Sequence, residues 1–148
     1  MKRTHIVVHH SLTADSETVS WAAIERHHIE TNGWADIGYH AGIEIVASSK
    51  FSRFAYQALL GRPEDQKAAA CKEGDMNDVG LHVCCVGNFD LAPPSIELVT
   101  RLVQRVIEPW MRRYSIPAER IVGHRDFAPY KSCPGMRFDL DVIRRAVK

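Results

Sequence analysis

Two apolar runs constrain the fold of this chain more than anything else in it. Ile6-Val7-Val8 and Val79-Gly80-Leu81-His82-Val83-Cys84-Cys85-Val86 are both expected as buried strands, the second one central. The first run ends in His9-His10-Ser11, which puts imidazoles where a buried strand opens into a loop. Thr13 to Thr18 is a polar loop with cap candidates Ser16 and Thr18. It leads into a helix over about 19–31, with Trp21, Ile24 and His28 on one face and Asn32-Gly33 as its stop. Tyr39 to Val46 is expected as a further strand. Pro93-Pro94-Ser95 opens a long helix with a wide apolar face running from Leu98 to Trp110, and Pro109 inside that pattern should kink or break it near Arg105. Ile121-Val122 is a short strand, and Asp139 caps a last helix through Val147. Strands alternating with helices predict an α/β class: one domain over 1–148, a central mixed sheet flanked by helices, active residues on loops at one sheet edge.

With 148 residues, 45% hydrophobic and 25% charged, the chain can bury a core without disulfides. A net charge of +1 argues against a nucleic-acid partner. The late basic residues Arg101, Arg105, Arg112, Arg113, Arg120 and Arg125 fit a solvated face better than a binding stripe. No apolar stretch approaches the ~20 residues that span a bilayer. The N-terminus lacks the apolar core and cleavage site of a signal peptide, so synthesis in the cytoplasm is expected. Cys71, Cys84, Cys85 and Cys133 are too irregularly spaced for a disulfide framework.

The segment Val122-Gly-His-Arg-Asp-Phe-Ala-Pro-Tyr-Lys-Ser-Cys-Pro-Gly135 places His124 and Cys133 on one loop, with Lys131 two residues before the thiol. Imidazole nitrogen and thiolate sulfur are preferred zinc ligands, and His9 or His10 could supply a third. Three protein ligands leave the fourth tetrahedral position open, which separates catalytic zinc from structural zinc. Spacing alone leaves equally open that these are ordinary histidines and a buried thiol.

These residues, together with Gly33-Trp-Ala-Asp-Ile-Gly-Tyr-His40 and Val79-Gly-Leu-His-Val-Cys-Cys-Val-Gly-Asn-Phe89, resemble the zinc-dependent N-acetylmuramoyl-L-alanine amidases. That family includes phage lysozyme-type amidase endolysins and is related to the peptidoglycan recognition proteins. The motifs follow the family order along nearly the whole chain. The resemblance implies Zn2+ held by His9, His124 and Cys133, with the first histidine of the His9-His10 pair as ligand. It implies Tyr39 beside the metal and Lys131 as the positive partner of an oxyanion, and it implies a peptidoglycan or muropeptide substrate. No membrane insertion is expected, and a monomer is.

Three departures from the family pattern stand out. His82 falls near where one branch carries a catalytic glutamate. It could transfer protons, although a buried, hydrogen-bonded histidine is the favoured reading. Ala70 lies where many relatives carry a histidine that is not a ligand. Ala47 to Leu60 replaces a tight turn, and its aromatics Phe51, Phe54 and Tyr56 could line a groove but better fit the core. His27 and His28 are expected as packing or surface residues. The leading reading is a phage or prophage endolysin that acts on the cell wall after release. A cytosolic amidase recycling anhydro-muropeptides and a non-catalytic peptidoglycan-binding module are its rivals.

Overall fold

The computed structural model describes residues 1–13, 20–49 and 52–147, with side chains left aside over 47–49 and 52–54. Ser16, Thr18, Phe51 and the Phe54 side chain therefore lie outside the described residues. Five strands form one mixed sheet: β1 (His5–His10), β2 (Ala41–Ser49), β3 (Ser52–Leu60), β4 (Gly80–Cys85) and β5 (Ile121–Gly123), in the order β3-β2-β4-β1-β5. β1 runs parallel to β4 and β5, β2 parallel to β4, and only β3 is antiparallel. The α/β class and the central place of β4 are as the sequence implies.

Side chains alternate across a strand, so each strand divides its residues between two faces. Ile6, Val8, Leu81, Val83 and Cys85 join Leu98, Leu102, Ile107, Trp110, Phe138 and Ile143 in the main core. Val7, His9, His82, Cys84 and Val86 take the opposite parity. On that side Val7 packs with Cys71 and Met76, and Cys84 and Val86 pack with Trp21 and Ile37. Burial on both faces explains why the β1 and β4 runs lack polar alternation.

The first helix starts later than its polar approach suggests. α1 (Trp21–Arg26) is capped by Ser20, whose hydroxyl accepts from the Ala23 N–H, and continues as a π-helical turn, His27–Thr31. The Trp21 ring lies against Gly42, where any β-carbon would collide with it, and its indole N–H donates to the Leu60 carbonyl at 3.1 Å. Tyr39 and His40 precede β2 rather than belonging to it. β3 is an edge strand that the sequence does not announce, and Tyr56 on it packs against the core as expected.

Pro109 does not end the long helix, but the regular α-helical ladder is interrupted around Arg105, where a kink or break is expected. α3 (Ile96–Leu102), with Ser95 as its N-cap, passes through a π-helical turn (Val103–Ile107) into α4 (Glu108–Tyr114). The wider turn falls where the proline ring and its missing N–H would disrupt a regular α-helical ladder. α2 (Met76–Val79) leads into β4, and α5 (Leu140–Ala146) is capped by Asp139 as expected. No helix among the described residues is long and apolar enough to cross a membrane. Arg101, Arg105, Arg112 and Arg113 are partly or fully exposed, and Arg113 pairs with Glu64 at 2.7 Å.

Polar groups tie the sheet to its surroundings. The buried Arg3 guanidinium donates to the carbonyls of Asp78 (2.8 Å), Gly80 (2.9 Å), Glu64 (2.9 Å) and Gln66. His40 Nδ1 accepts from the His82 N–H at 3.0 Å. Burial pushes His40 down to about 4 and His82 down to about 3. The unfolded chain takes up protons on these rings near pH 6.5, whereas the fold keeps them neutral. Their contribution to stability is therefore complete above pH ~6.5 and falls as the pH drops towards 4 and 3. Metal-free protein should lose about 2 kcal/mol or more between pH 7 and pH 5. Denaturant midpoints at the two pH values check this, and equal midpoints would contradict the neutral assignment.

Candidate active site

β1 delivers His9 and His10 to opposite sides of the sheet. The His10 ring Nδ1 accepts from the Phe89 N–H at 3.2 Å, and its backbone N–H donates to Cys133 Sγ at 3.4 Å. His9 turns to the other side, its Nδ1 3.5 Å from Cys133 Sγ and its ring centroid 4.9 Å from that of His124. Of the two rivals, His9 stands with His124 and Cys133. One donor atom from each of these three residues lies within 4.8 Å of the others.

β5 ends at Gly123, and His124 opens a 3-10 turn, His124–Asp126. The Asp126 carboxylate accepts from the Gly123 N–H at 2.8 Å and closes that turn. Arg125 stands in the Gly-His-Arg-Asp motif and among the late basic residues, but the sequence assigns it no role. Its guanidinium donates to the carbonyls of Gly135 (2.5 Å) and Phe138 (3.1 Å), and its backbone N–H to that of Cys133 (2.8 Å). Asp90 holds the loop from the far side by accepting from the Ser132 hydroxyl and the Met136 N–H, each at 2.8 Å. Arg125 and Asp90 are thus the supports of the His124–Cys133 loop. No spacing rule reveals them, because their partners are reached only through the fold.

Burial decides the charge states. It holds His9 well below its ordinary value, with the neighbouring imidazoles adding to the effect, and it lowers His124. Both rings are neutral near pH 7, as metal-ligating imidazoles must be. Burial also pushes the Cys133 thiol up to about 11, opposed by the His10 N–H and Lys131. The Tyr39 phenol is raised well above its usual value, chiefly by burial and then by Cys84 and Cys133, so it remains a donor. Among the described residues, His124 Nε2 is the one buried side-chain nitrogen or oxygen without a partner. It sits 3.8 Å from Glu73 Oε2. Cys71, Glu73 and His124 form a second group of possible donors that shares this ring. Tyr130 donates to the other Glu73 oxygen at 2.6 Å and helps hold that carboxyl down to about 2.

His9, Tyr39, His124, Lys131 and Cys133 all line a cavity of about 410 Å³. A second cavity of about 430 Å³ adjoins it and shares Trp34, His124, Tyr130 and Lys131. Lys131 is exposed, its ammonium 5.8 Å from the centre of the Tyr130 ring. His28, expected to be a packing or surface residue, also lines the first cavity, and its Nδ1 accepts from the Gly38 N–H at 3.1 Å. Ala70 lines both cavities. His82 lines neither and is fully buried. The four cysteines are free thiols.

A mixed sheet with helices on its faces, and a donor cluster in a cleft where β1 and β5 end, define an α/β domain with a candidate metal centre. The model of the Amidase_2 family, N-acetylmuramoyl-L-alanine amidase, matches residues 1–136, and the chain belongs to that family. It is an amide hydrolase of the N-acetylmuramoyl-L-alanine amidase class. The fold is that of the N-acetylmuramoyl-L-alanine amidase LysC from Clostridium intestinale URNW, at 23% identity and TM-score 0.78 over 100% of this chain and 88% of that one. The endolysine amidase LysCS from the same organism is similar at 24% identity and TM-score 0.76, covering 100% and 86%. A point mutant of Drosophila PGRP-LB, solved in complex with tracheal cytotoxin, is similar at 20% identity and TM-score 0.72, covering 95% and 80%. No curated protein matches significantly.

The loop supports give a direct test. Lysine cannot reproduce the planar fork of Arg125 on two carbonyls. Arg125→Lys should therefore cost about 1–3 kcal/mol in chemical denaturation. A variant as stable as the parent would show that the loop is held without it.

Proposed function

We propose that this chain is a zinc-dependent N-acetylmuramoyl-L-alanine amidase. It would hydrolyse the amide between the lactyl group of N-acetylmuramic acid and the L-alanine of the stem peptide, as a phage or prophage endolysin. The observation that carries this reading is the convergence of His9, His124 and Cys133 on one point at the wall of a cavity that Tyr39 and Lys131 also line. The donor set fits zinc: two neutral imidazoles, one with an unpaired buried nitrogen, and one sulfur. Three protein donors beside open space suit a catalytic ion rather than a closed structural one.

When bound, zinc supplies Lewis acidity to the scissile carbonyl and lowers the pKa of a water towards ~7. The chain's own residues supply the rest. Lys131 brings a positive charge to the oxygen of the tetrahedral intermediate, where charge develops. Tyr39, kept protonated, lines the same cavity and would offer its hydroxyl as a donor there, released from its pairing with the Cys84 thiol. The mouth of the cleft, shared by two cavities, suits a polymer or a glycopeptide fragment better than a small metabolite. The likeness to an endolysine amidase and to a protein solved with tracheal cytotoxin supports a cell-wall or muropeptide substrate. On this reading the protein acts as a monomer on the wall after release from the cytoplasm.

Purified protein should carry about one zinc per chain, and Cys133→Ala or His124→Ala should abolish tight binding while leaving most of the fold. Full occupancy in Cys133→Ala would sink the site. Lys131→Ala should keep its zinc and lose ~10²–10³-fold in turnover, the usual cost of one oxyanion partner. Wild-type rates in that variant would make the lysine a bystander. Mass spectrometry of digests of sacculi, set beside digests of free muropeptides, distinguishes the lytic reading from the recycling one. Stem peptides released with a free L-alanine amine are the expected product from sacculi.

A further inference from the structure

His82 lies on β4 beneath the site, fully buried and outside both cavities, so it cannot reach a substrate. Its ring is nevertheless tied at both nitrogens. Nε2 lies 2.8 Å from the Met76 carbonyl oxygen, and Nδ1 lies 2.9 Å from His9 Nε2. A carbonyl oxygen only accepts, so the His82 proton sits on Nε2. Its two partners are a carbonyl and another imidazole, neither of them an anion that would hold a buried cation. The ring is therefore neutral, and its Nδ1 is a bare acceptor. Across the 2.9 Å contact His9 must then be the donor, through Nε2–H. A neutral His9 protonated at Nε2 keeps its one lone pair on Nδ1, the atom 3.5 Å from Cys133 Sγ.

We propose that His82 is a positioning residue that fixes the tautomer and ring orientation of His9, so that Nδ1 is the atom His9 offers to a metal. The relay runs from the Met76 carbonyl through His82 to His9. It is anchored at its base because the His82 backbone N–H donates to His40 Nδ1 at 3.0 Å. The two ring planes are inclined by only 29° with centroids 5.1 Å apart, the near-coplanar, end-to-end arrangement that an in-plane N–H···N bond requires. His82 takes the orienting part that a carboxylate or a backbone carbonyl plays at other metal-bound histidines. It transfers no proton to substrate. The inference rests on the metal-site reading for its consequence, but not for the tautomer.

Two measurements test it. Nitrogen-15 NMR of the metal-free wild-type protein should show His9 protonated at Nε2 and bare at Nδ1. A His9 protonated at Nδ1 would overturn the relay without any substitution being made. For the consequence, zinc affinity is measured by chelator competition in His82→Leu and His82→Asn. Leucine removes the acceptor, and affinity should fall ~10–100-fold, the usual effect of losing an outer partner. Asparagine can place its amide oxygen where His82 Nδ1 stood and should restore most of that loss. Wild-type affinity in a folded His82→Leu protein, or equal losses in both variants, would overturn the positioning role. If wild-type protein binds no zinc at all, the metal-site reading fails, while the NMR result still decides the tautomer.

Discussion

β1 runs parallel between β4 and β5, and this pairing sets the place of every group in the site. Its register puts His9 opposite Cys84, Val7 opposite His82 and Val8 opposite Gly123. His124 is the next residue after Gly123, so the end of β5 brings it beside His9. A slip of one residue would turn His9 from the cleft towards the helical core. A slip of two would keep its face but move it ~6.6 Å along the strand, beyond the reach of any shared ligand. The apolar residues Ile6, Val8, Leu81 and Val83 resist the one-residue slip, which would turn the apolar set of the slipped strand away from the core formed with Leu98, Leu102 and Phe138. The same packing that stabilises the sheet thus fixes the chemistry.

The face opposite that core carries an unusual load of buried polar atoms. His9, His40, His82 and His124 are all buried, as is the Arg3 guanidinium. Such groups are tolerated when each is hydrogen-bonded, and here nearly every atom is accounted for. Arg3 satisfies carbonyls at the start of β4 and in residues 64–66, His40 takes the His82 N–H, and His82 links Met76 to His9. The exception is His124 Nε2. An orphan nitrogen costs free energy unless a partner outside the chain meets it, which locates the unsatisfied valence of the network at the cleft.

The buried strands were legible because burial on both faces leaves an uninterrupted apolar run. Asp139 as a cap and the His124–Cys133 loop were legible because local chemistry marks them. β3 was not, since Ser52 to Leu60 forms a two-sided edge with no clean alternation, and pairing with β2 decides its conformation. The interruption expected near Arg105 takes the form of a π-helical turn rather than the end of the helix: Val103, Val106, Ile107 and Trp110 stay buried in the core. Of the proposed site residues, His9, Tyr39, His124, Lys131 and Cys133 were named from motifs. Glu73, Asp90 and Arg125 were not, because their roles depend on contacts with loops that only the folded chain brings near.

The loop from His124 to Gly135 combines two mechanical characters. Cys133 is held on several sides: its carbonyl by the Arg125 N–H, its sulfur by the His10 N–H, and its neighbour Ser132 by Asp90. Lys131, two residues earlier, has a fixed backbone N–H bonded to the Ala128 carbonyl at 2.9 Å but an exposed side chain over Tyr130. A metal ligand must be placed within a few tenths of an ångström, and a tightly bonded backbone provides that. A charge that meets a substrate oxygen acts over a longer range and must let the substrate enter, which a long side chain on a fixed root permits. A held sulfur and an exposed ammonium on one short loop follow from where the chain places its hydrogen bonds. In the proposed reaction that division lets the site be preorganised at its base and adaptable at its mouth.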